Sequence, residues 1–155
     1  MAKAKGLSQK ERATNHDTFR HIERVRNLLN VCAIDLLTRG EMHDQSKLES
    51  PEVEVFTELA ASTYGSEEYE GFREAMKPAL DHHYANNRHH PEHHKNGVDD
   101  MNLMDLAEML CDWKAASERH NDGNIRKSIE VNGKRFEMSP QLIRIFENTA
   151  DMLFP

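Results

Sequence analysis

TNHDTFRHIERVRNLLNVCAIDLLT, residues 14–38, decides the fold class. Its apolar residues Phe19, Ile22, Val25, Leu28, Leu29, Cys32, Leu36 and Leu37 recur every three or four positions. That spacing puts them on one side of a helix and not on alternate faces of a strand. The stretch is too long for a strand and holds neither Gly nor Pro, so it predicts one amphipathic helix from Thr14 to Thr38. Gly40 stands just beyond and is expected to close it. Residues 1–10 are expected to form a flexible tail.

Downstream segments extend the all-helical pattern. A short helical piece is expected around Met42–Leu48. Ser50-Pro51-Glu52 supplies a cap, a first-turn proline and a first-turn acid for a helix ending near Tyr64, with Gly65 as the stop. Ser66 caps a further helix reaching about Asn87, interrupted by Pro78. Residues 88–100, with Pro91 and Gly97, read as loop. Asn102 and Asp105 form a capping-box pair for a helix to about His120, ended by Asn121-Asp122-Gly123. Ser139-Pro140 opens a last helix to about Leu153. Between them, residues 128–137 are ambiguous: Asn132-Gly133 also suits the turn of a small hairpin. The expectation is an all-α, single-domain bundle of five to seven helices spanning 1–155, with that hairpin as the alternative element.

A chain of 155 residues can bury one core without staples. With 37% hydrophobic and 30% charged residues its composition is globular. A formal net charge of -7 argues against duplex DNA binding, which runs on clustered Lys and Arg. A small phosphorylated ligand needs only a few local cations and is not excluded. Cys32 and Cys111 form no CxxC pair and are expected to be reduced, buried thiols. No signal peptide or membrane span is expected, so the predicted location is cytoplasmic, or the host cytoplasm for a phage-encoded chain. An oligomer is compatible with all of this.

Ten histidines stand out, six of them between His82 and His94. Imidazole is the commonest metal ligand near neutral pH. His21 shares a helical face with Val25, Leu28 and Cys32 and is expected to point inward. His43-Asp44 is followed by Lys47. On the stripe of Phe72, Met76, Ala79, Leu80, His83 and Asn87, His83 is expected inside and His82 nearer the edge. His93 and His94 are expected in a solvated loop. Asp105, Glu108 and Asp112 share one face of their helix, opposite Leu103, Leu106, Leu110 and Trp113. An acidic stripe is usually the wet side, but Cys111, Ala115 and Ala116 flank Asp112. Imidazoles and carboxylates thus come from four helical segments, as they do in metal sites inside helical bundles. Such mixed donors suit Mn, Fe, Co, Ni or Zn, and suit Mg less well.

The order His21, His43-Asp44, later histidines, then Asp112 resembles the HD-domain superfamily of metal-dependent phosphohydrolases. The strings HDQSKLESPE, HHYANNRHHPEHH and DLAEMLCDWKAASERH also resemble a family of phage and bacterial proteins, over about residues 21–148. That closer family brings no function with it. The superfamily resemblance implies an HD-like fold with His21, His43, Asp44 and Asp112 as core ligands. It further implies His83 and His90 at a second metal, with His82 and His89 as alternates. Lys47 matches the superfamily's lysine, although Gln45-Ser46 replace the usual small apolar residue and glycine. The glycine-tyrosine-proline signature of cyclic-dinucleotide phosphodiesterases is absent, so that substrate is not implied.

The resemblance implies hydrolysis of a nucleotide or other small phosphate ester by water activated at one or two divalent transition metals. Asp44 would hold the metals, and Glu108 would orient a ligand or accept a proton. Lys47, Arg88 or Arg119 would neutralise phosphate charge. The same ligands also occur in HD-type di-iron oxygenases. A metal-binding or interaction module without catalysis is the third reading.

Overall fold

The computed structural model describes residues 6–61, 67–119 and 123–154, with the side chains of 58–75 left aside. The described residues form six α-helices: α1 (Gln9–Met42), α2 (Glu52–Ala61), α3 (Glu67–Asn86), α4 (Leu103–Ser117), α5 (Ile125–Arg135) and α6 (Pro140–Leu153). Short 3-10 turns occupy Gln45–Leu48, Pro91–His93 and Gly97–Asp100. The described residues contain no strand, so the all-α expectation holds. No described helix is long and apolar enough to cross a membrane. The expected helix limits at Tyr64, Gly65 and Ser66, those at His120 and Asn121-Asp122, and the side chain of Phe72 lie outside the described residues.

The chain divides into two units, residues 1–38 and 39–155. The described part of the first unit is helix α1 and the residues leading into it. This helix begins at Gln9, five residues before the expected Thr14, because Ser8 and Glu11 close a reciprocal cap. The Ser8 N–H donates to Glu11 Oε2 at 2.7 Å, and the Glu11 N–H donates to Ser8 Oγ at 3.3 Å. The Ser-x-x-Glu signature was available in a stretch expected to be tail. Every described residue of this unit is exposed. Phe19 is 69% exposed and Leu37 72%. His21 and Cys32 are therefore not buried as expected: a lone helix has nothing within its unit to pack against.

Gly40 does not stop α1, which runs on to Met42. The chain leaves the helix at Asp44, whose φ of 57° is left-handed. Aspartate is one of the few non-glycine residues that tolerate this region.

The core of the second unit lies between α4, α5 and α6. Met109, Leu110, Trp113, Ile129, Met138, Phe146 and Ala150 are buried together. Trp113 meets Phe146 edge-on at 5.7 Å and stacks near-parallel with Phe136 at 6.4 Å. The hairpin alternative for 128–137 is corrected, because these residues lie almost wholly within helix α5. Ile125, Ile129 and Gly133 follow helical spacing. Gly133 serves close packing: a Cβ there would sit 3.1 Å from Ile143 Cδ1 on α6. The Asn-Gly pair thus marked a close helix approach and not a turn. Helix α3 continues through Pro78, where an interruption was expected. The capping box at Asn102 and Asp105 and the cap at Ser139 are present as read. Leu103 is 76% exposed and stays out of the core, and both cysteines are free and exposed, Cys111 as well as Cys32.

Candidate metal centre

Helix α4 carries the core on one side and acids on the other. Its stripe Asp105, Glu108 and Asp112 is the inner edge of a polar centre, not a wet face. Asp105 is fully buried, and the Glu108 and Asp112 side chains are 13% and 27% exposed. The left-handed turn at Asp44 brings its carboxylate to this centre from the end of α1. From α3 and the residue after it come Met76, Ala79, His83 and Asn87 of the predicted stripe, all buried, while Leu80 is half-buried. The segment after α3 adds His89, which is 1% exposed, and His90.

Among the described residues three ligand groups result: Asp44, His83, His89 and His90; His43, His89 and Glu108; and His43, Asp44 and Asp112. In each, one donor atom per residue lies within 4.8 Å of all the others. Asp44 faces two ways. Its Oδ1 is 3.5 Å from His83 Nε2 and 3.6 Å from His89 Nε2, while Oδ2 is 3.6 Å from His43 Nε2. His43 Nε2 is also 3.7 Å from Asp112 Oδ1, and His83 Nε2 is 2.9 Å from His90 Nε2. Ligands about 2.1 Å from a shared cation stand roughly 3.0–3.4 Å apart, so this spacing fits a cation within the cluster. The orphaned atoms agree. Asp44 Oδ1 and both His89 ring nitrogens are buried without a hydrogen bond. His89 Nδ1 comes to 3.1 Å from Glu108 Oε1, but off hydrogen-bond geometry. Buried donors and acceptors are rarely left so, which points to a missing partner.

The electrostatics differ across the centre: positive charge is favoured at His43 and disfavoured at His83 and His90. The Asp112 carboxylate 3.7 Å away and the hydrogen-bonded Glu108 raise His43 to about 10 against the cost of burial. Burial, with His89 and His83 nearby, lowers His90 to about 3 and keeps it neutral, as a ligand must be. Burial pushes Glu108 up, but the hydrogen bond with His43 and the close His89 imidazole outweigh it and hold the carboxyl below its usual range. Lys47 Nζ donates to Asp44 Oδ2 at 2.5 Å.

The chain belongs to the family of unknown function DUF5662. The match covers residues 10–152, so the DUF5662 pattern takes in every residue of the centre. Neither the curated proteins nor the solved structures yielded a match.

Of the residues singled out from sequence, the fold of this DUF5662 chain brings together His43, Asp44, His83, His90, Glu108 and Asp112, with Lys47 beside them. His89, an alternate from sequence, is more buried than His90 and belongs to two groups. His82 belongs to none, and its side chain is 40% exposed. His21 belongs to the first unit, whereas all three groups consist of second-unit residues. Arg88 is committed elsewhere, with Nε and Nη2 donating to the two oxygens of Asp105 at 3.2 and 3.0 Å. Arg119 is exposed in the turn after α4. His93 and His94 are not solvated as expected: they bond the carbonyls of Tyr84 and Arg88 at 2.8 and 2.9 Å.

Sequence reasoning passed over Arg39 and gave Asp105 and Glu52 only local roles. Arg39 donates to Asp105 Oδ1 at 2.8 Å and Glu108 Oε2 at 3.1 Å. Asp105 was read as a cap and as part of the acidic stripe; it also anchors Arg39 and Arg88. Glu52 was read as a first-turn acid, yet it is fully buried against His82 and His83. Burial pushes its carboxyl up, and bonds from His82, Ser46 and His83 outweigh that and hold it low.

Proposed function

We propose that this protein is a metal-dependent phosphohydrolase acting on a small phosphate ester, with a nucleotide as the leading substrate class. The observation that carries the reading is Asp44, whose two oxygens face two different ligand sets. Three imidazoles with one carboxylate on one side suit Zn, Fe, Co, Ni or Mn. One or two such ions would supply Lewis-acid activation of water at neutral pH.

The chain's own residues would do the rest. Asp44 and Asp112 supply anionic oxygens, and His43, His83, His89 and His90 supply nitrogens. Glu108 orients His43 by accepting from its Nδ1 at 2.9 Å, as carboxylates beside ligating histidines commonly do. Lys47, paired with Asp44 Oδ2 at the edge of the centre, would be the cation nearest a phosphate held there, whereas Arg88 is turned to Asp105.

The test is metal analysis of untagged protein, then a phosphatase screen over nucleotides with each candidate metal restored after chelation. Lys47→Met should keep its metal and lose about 10²-fold in rate, the scale of one deleted electrostatic stabiliser. Full metal with an unchanged rate would remove Lys47 from the chemistry. Bound metal with no cleaved phosphate ester would remove the hydrolase reading and leave a metal-binding protein.

A further inference from the structure

Glu52 is a fully buried carboxylate in the first turn of α2. Both its oxygens are used: Oε1 is 2.7 Å from His82 Nδ1 and Oε2 is 2.8 Å from His83 Nδ1. An ionised carboxylate only accepts, so each imidazole must donate from Nδ1. In a neutral ring the lone pair then sits on Nε2. For His83 that nitrogen is the one 3.5 Å from Asp44 Oδ1 and 2.9 Å from His90 Nε2.

Two other groups approach His83 Nδ1, and neither competes. Asn87 Nδ2 is 3.0 Å away, but its two hydrogens have the His83 carbonyl and Ser46 Oγ, each at 2.8 Å. Ser46 Oγ stands at 3.4 Å, longer than the Glu52 contact. A carboxylate is costly to bury without strong partners. Simple packing of α2 on α3 would need no charge there.

We propose that Glu52 is a positioning residue of the metal centre: it locks His83 in the Nδ1–H tautomer and turns the Nε2 lone pair toward Asp44 and His90. Carboxylate–imidazole–metal chains of this kind fix ring orientation and raise ligand basicity. The proposal rests on the metal reading above. It adds a residue that touches no cation itself and reaches the centre only through His83.

The experiment compares wild type with Glu52→Met, which keeps side-chain length without an acceptor, and Glu52→Gln, which keeps one acceptor oxygen. Long-range proton–nitrogen spectra of the metal-free proteins read the His83 tautomer. Cobalt(II) titration reads affinity and the visible absorption of the bound ion. Wild type should show His83 as Nδ1–H. Glu52→Met should lose that state, bind cobalt about 10–100-fold more weakly and shift the absorption. Glu52→Gln should fall between, and it carries the test if the Met variant does not fold. Nδ1–H unchanged in the variants, or cobalt bound with wild-type affinity and spectrum, would overturn the role of Glu52 alone. Wild type that binds no cobalt would overturn the metal reading, and this role with it.

Discussion

Helices α1 and α4 carry the same kind of apolar periodicity and meet opposite fates. On α1, Phe19, Ile22, Val25 and Leu29 are all exposed. On α4, Met109, Leu110 and Trp113 are buried, and so is Asp105, an acid that a pattern reading would send to water, with Glu108 and Asp112 half-buried. Periodicity follows from helix geometry and is local. Burial needs a second surface, which α5 and α6 supply to one side of α4 and the polar centre supplies to the other. The contrast also sorts the histidines. His21 sat on the better apolar stripe, yet the ligand groups draw on His43, His83, His89 and His90.

The largest effect that could break this comparison concerns bound metal. Asp112→Ala on α4 should strip most of it, whereas His21→Ala on α1 should leave metal content unchanged, by elemental analysis of the two proteins side by side. Equal losses would give the α1 face a part in the centre that the second-unit groups do not require.

Stability sharpens the same contrast. Trp113→Ala should cost about 3–5 kcal/mol, the range for deleting a large core side chain. Phe19→Ala should stay within about 0.5 kcal/mol, as surface changes do. Urea unfolding of both variants checks this, and a comparable loss from Phe19 would mean that α1 has a packing partner in solution.

A smaller effect is expected from pH in the metal-free protein. His43 has its folded pKa raised to about 10 by Asp112 and Glu108. Its contribution is complete below its unfolded value of about 6.5 and is lost as pH rises through about 10. The loss should be on the order of 1.5–3 kcal/mol, the scale of a hydrogen bond to a charged group. Urea melts at several pH values, with His43→Gln as the subtraction, measure it. An identical slope in His43→Gln would refute the assignment. Added metal should reverse the trend, because a ligand imidazole must first lose its proton.

The smallest effect belongs to Gly133. Gly133→Ala gains about 1 kcal/mol of helix propensity but presses on Ile143. The net change should stay within about 1 kcal/mol by thermal melting. A much larger loss would show that Ile143 cannot move.

Most of the helices follow from local sequence, because capping pairs such as Asn102–Asp105 and spacings such as Met76, Ala79 and His83 act within a few residues. The sequence also determined most of the centre's residue types, since His43-Asp44, His83 and Asp112 stand out by chemistry and register alone. Which of them meet depends on how the helices pack. Residues 88–100 read as loop, so no periodicity could rank His89 above His90 or aim His94 at a carbonyl. Glu52 and Asp105 looked like first-turn acids, because what distinguishes them is a partner 30 or more positions away: His82 and His83 for one, Arg39 for the other. Such pairings depend on how helices pack, and a one-dimensional pattern records only what a residue's neighbours along the chain can do.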